Sequence, residues 1–206
     1  MPTEIKNVPT GFQALASENF EPACLRPLIG AYEAWIETQK KTVDPTLGAE
    51  SEEEALREKS KFDQDVHAYE REKERIALGI KLLELSFERF KEDPQSPESW
   101  PYCAWRHLNS TFYEAGIERG ITGWRLFQLA FILAHIPTIA SRIPAFAQKP
   151  WFDQIFDEET ATLLYFPTGG GKSEAFFGLL LFTLFFDRLR GKHIGVSALI
   201  LSLIHI

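Results

Sequence analysis

Cysteine is scarce in this sequence: Cys24 and Cys103 are the only two in 206 residues. They lack metal-ligand spacing, so neither a zinc site nor a disulfide framework is expected. Long apolar runs are missing as well. None approaches the roughly 18 residues needed to cross a bilayer, which excludes a membrane bundle. The opening MPTEIKNVPTG has no basic-then-apolar leader pattern, so a cytoplasmic protein is expected. Positive charge is not in excess: 22 Lys and Arg face 29 Asp and Glu, a net charge of −7. Residues 1–110 carry 21 acids and 14 bases, and residues 111–206 carry eight of each. No stretch is a basic, nucleic-acid-seeking tail, although a local groove can bind nucleic acid whatever the total charge. No internal repeat stands out. With 45% hydrophobic and 25% charged residues, the composition is that of a globular chain long enough for one or two domains.

The first half reads as helical. Residues 22–42 place Leu25, Leu28 or Ile29, Tyr32, Trp35 and Ile36 at steps of three and four, and Asp44, Pro45 and Gly48 break the pattern. From Ala55 to Phe90 the period is clearest. Phe62, Val66, Tyr69, Lys73, Ile76, Ile80, Leu83, Phe87 and Phe90 alternate steps of four and three, against a densely charged opposite face. Ser51 with Glu54 forms a capping box at its start. Such a helix packs its apolar face on the preceding helix or offers it to a partner as a coiled-coil arm. Residues 93–101 read as a loop and as the seam between two regions, followed by a short helix over 102–113. Gly116, Gly120 and Gly123 lead to a buried apolar helix over 124–136, which Pro137 should end.

Thr160–Phe166 (TATLLYF) reads as a buried strand. Pro167-Thr168-Gly169-Gly170-Gly171-Lys172-Ser173 follows, then a helix from Glu174 to Arg190, then a second strand over Ile194–Ile200. Strand, glycine loop, helix and strand make a βαβ unit and a parallel sheet. Glycines allow backbone N–H groups to close on phosphate oxygens, and the helix points its positive end at the same place. Lys172 would reach the β- and γ-phosphates, and the Ser173 hydroxyl would ligate Mg2+. Phe166 stands where the general pattern has glycine and the helicase variant a small residue. The helix after the loop is apolar from Phe176 to Phe186 apart from Gly178 and Thr183, so it requires cover on nearly all sides.

Arg125-Leu126-Phe127-Gln128 supplies an Arg-x-x-Gln pair, with Gln128 44 residues before Lys172. A glutamine amide both donates and accepts, which suits it to an adenine edge. Arg-x-x-Gln upstream of such a loop resembles the adenine-reading element of superfamily 2 helicases. It equally suits a polar pair at the end of a buried helix.

WRLFQLAFIL and LLYFPTGGGKSEAFFGLLLFTLFFDRLRG together resemble the large helicase protein of bacterial DISARM anti-phage systems. YEAWIETQ and the glutamate-rich helix ending in GIKLLE resemble that family's N-terminal region. The resemblance covers residues 25–200 and is most specific over 163–191. It implies ATP and Mg2+ as ligands, with Thr168, Gly169, Gly170, Gly171, Lys172 and Ser173 at the phosphates and Gln128 with Arg125 near the base. It further implies DNA as a partner of the whole protein, companion phage-defence subunits, and no membrane association.

The expected fold class is therefore α/β: a mostly helical region over 1–110, then the truncated start of a RecA-like P-loop domain over 111–200. After Lys172 the only acids are Glu174 and Asp187, both within the helix, so no strand-end Walker B acid is present. The chain is expected to bind ATP and to hydrolyse it poorly if at all. LSLIHI, residues 201–206, matches the in-frame translation of a transposase mosaic-end sequencing adapter. It is also apolar enough to continue the preceding strand. The alternative function is a nucleotide-binding switch or helical scaffold without motor activity.

Overall fold

A computed structural model describes residues 5–117, 120–159, 161 and 171–195. Its regular structure there is helical throughout. The elements are α1 (Phe12–Ala16), α2 (Pro27–Thr42), α3 (Glu52–Glu92), α4 (Trp100–Ile117), α5 (Leu126–Ala140) and α6 (Lys172–Leu189). Short 3-10 turns at Pro22–Leu25, Pro97–Ser99 and Pro144–Phe146 and a π-helical turn at Ile155–Glu159 join them.

The 41-residue α3 is the axis of the fold, and at about 1.5 Å per residue it is about 60 Å long. Its N-terminus is fixed by the expected pair: Ser51 Oγ accepts from Glu54 N–H at 3.2 Å. The Glu54 carboxylate reaches back to Glu50 N–H at 2.9 Å, one residue before the usual capping-box position. The apolar stripe lies where the period placed it. Val66, Ile76, Ile80, Leu83 and Phe87 are buried, and Phe62, Tyr69 and Phe90 are half-buried.

Partners within the chain cover that stripe. α2 lies on the first half, where Tyr32 OH donates to Glu72 Oε2 at 2.5 Å and Trp35 meets the Tyr69 ring at 5.0 Å. Lys73, which interrupts the stripe, turns its ammonium to Glu33 of α2 at 3.0 Å. α5 and α4 lie on the second half. Burying each large apolar side chain fully contributes about 1.5–3 kcal/mol, so this stripe serves internal packing and not a coiled-coil arm.

α5 runs four residues beyond its expected end, straight through Pro137. Proline has no N–H to give Leu133 O, and the helix tolerates that loss because α3 approaches there. A Cβ built on Gly79 of α3 would overlap the Leu133 carbonyl, with Leu133 C only 2.8 Å away.

The α/β expectation is corrected: among the described residues there is no strand and no sheet. The single β-type contact is an isolated antiparallel bridge between Gly11 and Gly123. The expected strands at 160–166 and 194–200 lie outside the described residues, except for Ala161, Ile194 and Gly195, which are not in strands. The physical reason is visible on α6. It buries Ala175, Gly178, Phe182 and Phe186 against α4 and α5, so helices and not strands cover this face. Gly178 permits this closeness, since a Cβ there would stand 2.6 Å from Ile132 Cδ1 and 2.8 Å from Trp124 Cη2. The outer face of α6 leaves Phe176, Phe177 and Leu184 exposed, so the cover its composition asks for is supplied on one side by these helices. Among the described residues, no helix is long and apolar enough to cross a membrane.

Candidate functional site

Two helix N-termini meet at the centre of the site. Gly171 is the N-cap of α6 in a left-handed conformation, φ 84° and ψ 28°, which glycine adopts without steric cost. The first N–H groups of α6 lack intrahelical acceptors and carry the positive end of the helix dipole. α5 begins beside it with Arg125 as N-cap and Gln128 at the third helical position.

Gln128 is buried, and its amide joins the two ends. Its Oε1 accepts from Arg125 N–H at 2.8 Å, and its Nε2 donates to Gly171 O at 2.7 Å. A side chain on Gly171 would find no room, because its Cβ would stand 2.7 Å from Gln128 Nε2 and 3.3 Å from Glu174 Oε2. The same point lies 3.8 Å from an Arg125 guanidinium nitrogen.

The structure thus brings Arg125, Gln128, Gly171, Lys172 and Ser173 to one place, 43 residues apart in sequence between Gln128 and Gly171. Lys172 is half-buried and Ser173 exposed. Thr168, Gly169, Gly170 and Phe166 lie outside the described residues.

Beside this junction is a cavity of about 340 Å³ between α1, α4, α5 and α6. Phe12, Phe112, Trp124, Phe177 and Leu181 form apolar walls, and Arg125, Gln128, Gly171 and Glu174 form the polar side. Its aromatic wall is rigid. Phe112 and Trp124 lie 4.3 Å apart between centroids with their planes tilted by 51°, and Phe12 meets Trp124 edge-on at 5.0 Å. Trp124 is pinned by its indole N–H, which donates to Asn109 Oδ1 at 2.8 Å, while Asn109 donates to Trp105 O at 2.8 Å. The N-terminal segment closes over this wall: Phe12 N–H donates to Thr122 O at 3.0 Å and Trp124 N–H to Thr10 O at 2.9 Å. These α1 and α4 residues carry no phosphate-loop signature, and their place in the cavity is set by contacts distant in sequence.

A buried ion pair anchors the segment leading towards the loop. Asp157 Oδ1 takes Arg75 of α3 at 2.9 Å, with side-chain exposures of 1% and 8%, and also accepts from the Thr138 hydroxyl of α5. Its Oδ2 accepts from Asp153 N–H at 2.8 Å. At the far end of α6, Asp187 is buried and draws in Arg190 at 2.6 Å, Lys192 at 3.3 Å and Arg142 at 3.5 Å. Among the described residues, no group of three or more His, Cys, Asp and Glu side chains could hold a metal ion.

The chain is 30% identical over 178 residues to the DISARM protein DrmA of Bacillus paralicheniformis. The match covers 80% of this chain and 13% of that protein, so the chain spans a small part of the relative's length. No protein-family profile matches the chain, and no solved structure matches it.

Proposed function

We propose that this chain is the ATP-binding portion of a larger DNA helicase or translocase acting in phage defence. The observation that carries the reading is the convergence of Gln128 and Arg125 with Gly171, Lys172 and Ser173, residues that two separate motifs nominate. The similarity to a DISARM protein supports the phage-defence setting.

The residues suit a triphosphate. The N-terminal turn of α6 offers N–H donors with dipole support. Lys172 would neutralise β- and γ-phosphate charge, and Ser173 would hold Mg2+, with Thr168, Gly169 and Gly170 completing the loop. The cavity beside the loop is wide and apolar enough to take the base against the Phe112–Trp124 wall. Bound ATP would supply the free energy for movement along DNA. Asp187 does not supply the acid that activates water, because it is buried among three cations at the other end of α6.

The decisive experiment is DNA-stimulated ATP turnover by the complete protein, with and without Lys172→Ala. Turnover that rises with DNA and is lost in the variant is the expected result. Turnover unchanged by the substitution overturns the reading. ATP binding that depends on Lys172 but produces no DNA-stimulated turnover favours the second reading, a nucleotide-binding switch.

A further inference from the structure

Each end of the Gln128 amide makes one hydrogen bond within the chain. Oε1 holds Arg125 N–H at 2.8 Å, and Nε2 holds Gly171 O at 2.7 Å. With the side chain buried, these two bonds set the plane of the amide between the two helix starts. Here the oxygen stabilises the first turn of α5, where the N–H groups have no helical acceptor.

The consequence lies in the Gly171–Lys172 peptide. In a trans peptide the C=O and the N–H point in opposite directions. The only cis bond among the described residues is Lys149–Pro150. Holding Gly171 O on the α5 side therefore turns Lys172 N–H to the opposite side, towards the N-terminal end of α6. That N–H is one of the donors a phosphate would meet. Gly171 cannot hold this setting through a side chain of its own, because it has none, and its left-handed conformation is one of several a glycine visits. Gln128 Nε2 lies 2.7 Å from the point a Gly171 Cβ would occupy, so it packs against the residue it orients.

We infer that Gln128 is a positioning residue for the Gly171–Lys172 peptide: it holds that peptide so that the first turn of α6 is ready for the nucleotide's phosphates. This rests on the phosphate-loop reading above and gives Gln128 a different task from adenine recognition.

The test uses Gln128→Ala and Gln128→Glu. The second keeps an acceptor for Arg125 N–H and loses the donor to Gly171 O. Far-UV circular dichroism and a thermal melt confirm folding of each. In the ligand-free chain, amide hydrogen exchange at Ala175, the first α6 N–H whose helical acceptor is Gly171 O, should accelerate about tenfold in both variants while the rest of α6 stays protected. Affinities for ATP and GTP should fall together, about tenfold each, leaving their ratio within twofold of wild type. A variant that weakens ATP while leaving GTP unchanged overturns the inference in favour of base reading. Unchanged exchange at the start of α6 overturns it as well. Failure of the wild-type chain to bind either nucleotide overturns the phosphate-loop reading itself, a result separable from the other two.

Discussion

Gly79 of α3 faces the Leu133 carbonyl of α5 that Pro137 leaves without a helical donor. The proline and the glycine solve one problem jointly. Pro137 removes the N–H, and Gly79 lets the α3 backbone close on the exposed oxygen, bringing a Cα–H to it. A methyl on Gly79 would overlap the Leu133 carbonyl. Helix propensity alone makes Gly→Ala stabilising by about 1 kcal/mol, so the crossing predicts the opposite sign. Gly79→Ala should cost about 3 kcal/mol, because backbone on both helices must move. A urea midpoint equal to or above that of wild type would contradict this crossing.

Arg75 and Asp157 form the most deeply buried ion pair among the described residues. Removing one partner strands the other charge in the interior, at a cost of about 3–5 kcal/mol. Asp157→Ala should therefore lower the urea midpoint sharply. Replacing both, as Arg75→Met with Asp157→Ala, should recover much of the loss because no stranded charge remains. A double variant no more stable than the single one would mean that Asp157 acts mainly through Thr138 and Asp153 N–H.

Two histidines give the fold a pH dependence. Burial pushes the His135 imidazole below its ordinary pKa, and nearby Arg75 adds to that, while the bond to Phe131 O opposes it. Burial, with Arg106, does the same at His107. The folded state then binds fewer protons than the unfolded chain once pH falls below about 6.5, and stability drops as pH decreases. The loss is complete only below the folded-state pKa values. The urea midpoint should fall between pH 7.5 and pH 5.5, and His135→Gln should flatten the change. A midpoint that rises on acidification over this interval would show that these rings are not held neutral.

Legibility differed by element for physical reasons. α3 was readable throughout because a two-sided amphipathic helix repeats its signal over ten turns, and Ser51 and Glu54 mark its start. α6 was readable as a helix but not in its surroundings. Its apolar residues do not reveal whether a sheet or helices cover them, and Gly178 against Ile132 and Trp124 is a contact between distant positions. The end of α5 was misplaced because Pro137 normally stops a helix, and the compensating Gly79 lies 54 residues before Leu133. α1 escaped notice because five residues carry too little period. At the site, the motif residues Arg125, Gln128, Gly171, Lys172 and Ser173 were visible from spacing. The aromatic wall of Phe12, Phe112 and Trp124 was not, because it is assembled from three elements by tertiary packing.

Equilibrium binding of ATP with Mg2+ to this chain, in wild type and in Lys172→Ala, tests the account most directly. In the proposed site Lys172 is the charge facing the phosphates, so its loss should reduce affinity at least a hundredfold, about 3 kcal/mol. Binding should also need Mg2+, as expected if Ser173 holds the ion with the phosphates. Equal affinity in the two proteins, or no binding by wild type, would contradict the assignment of a nucleotide site to the junction of α5 and α6.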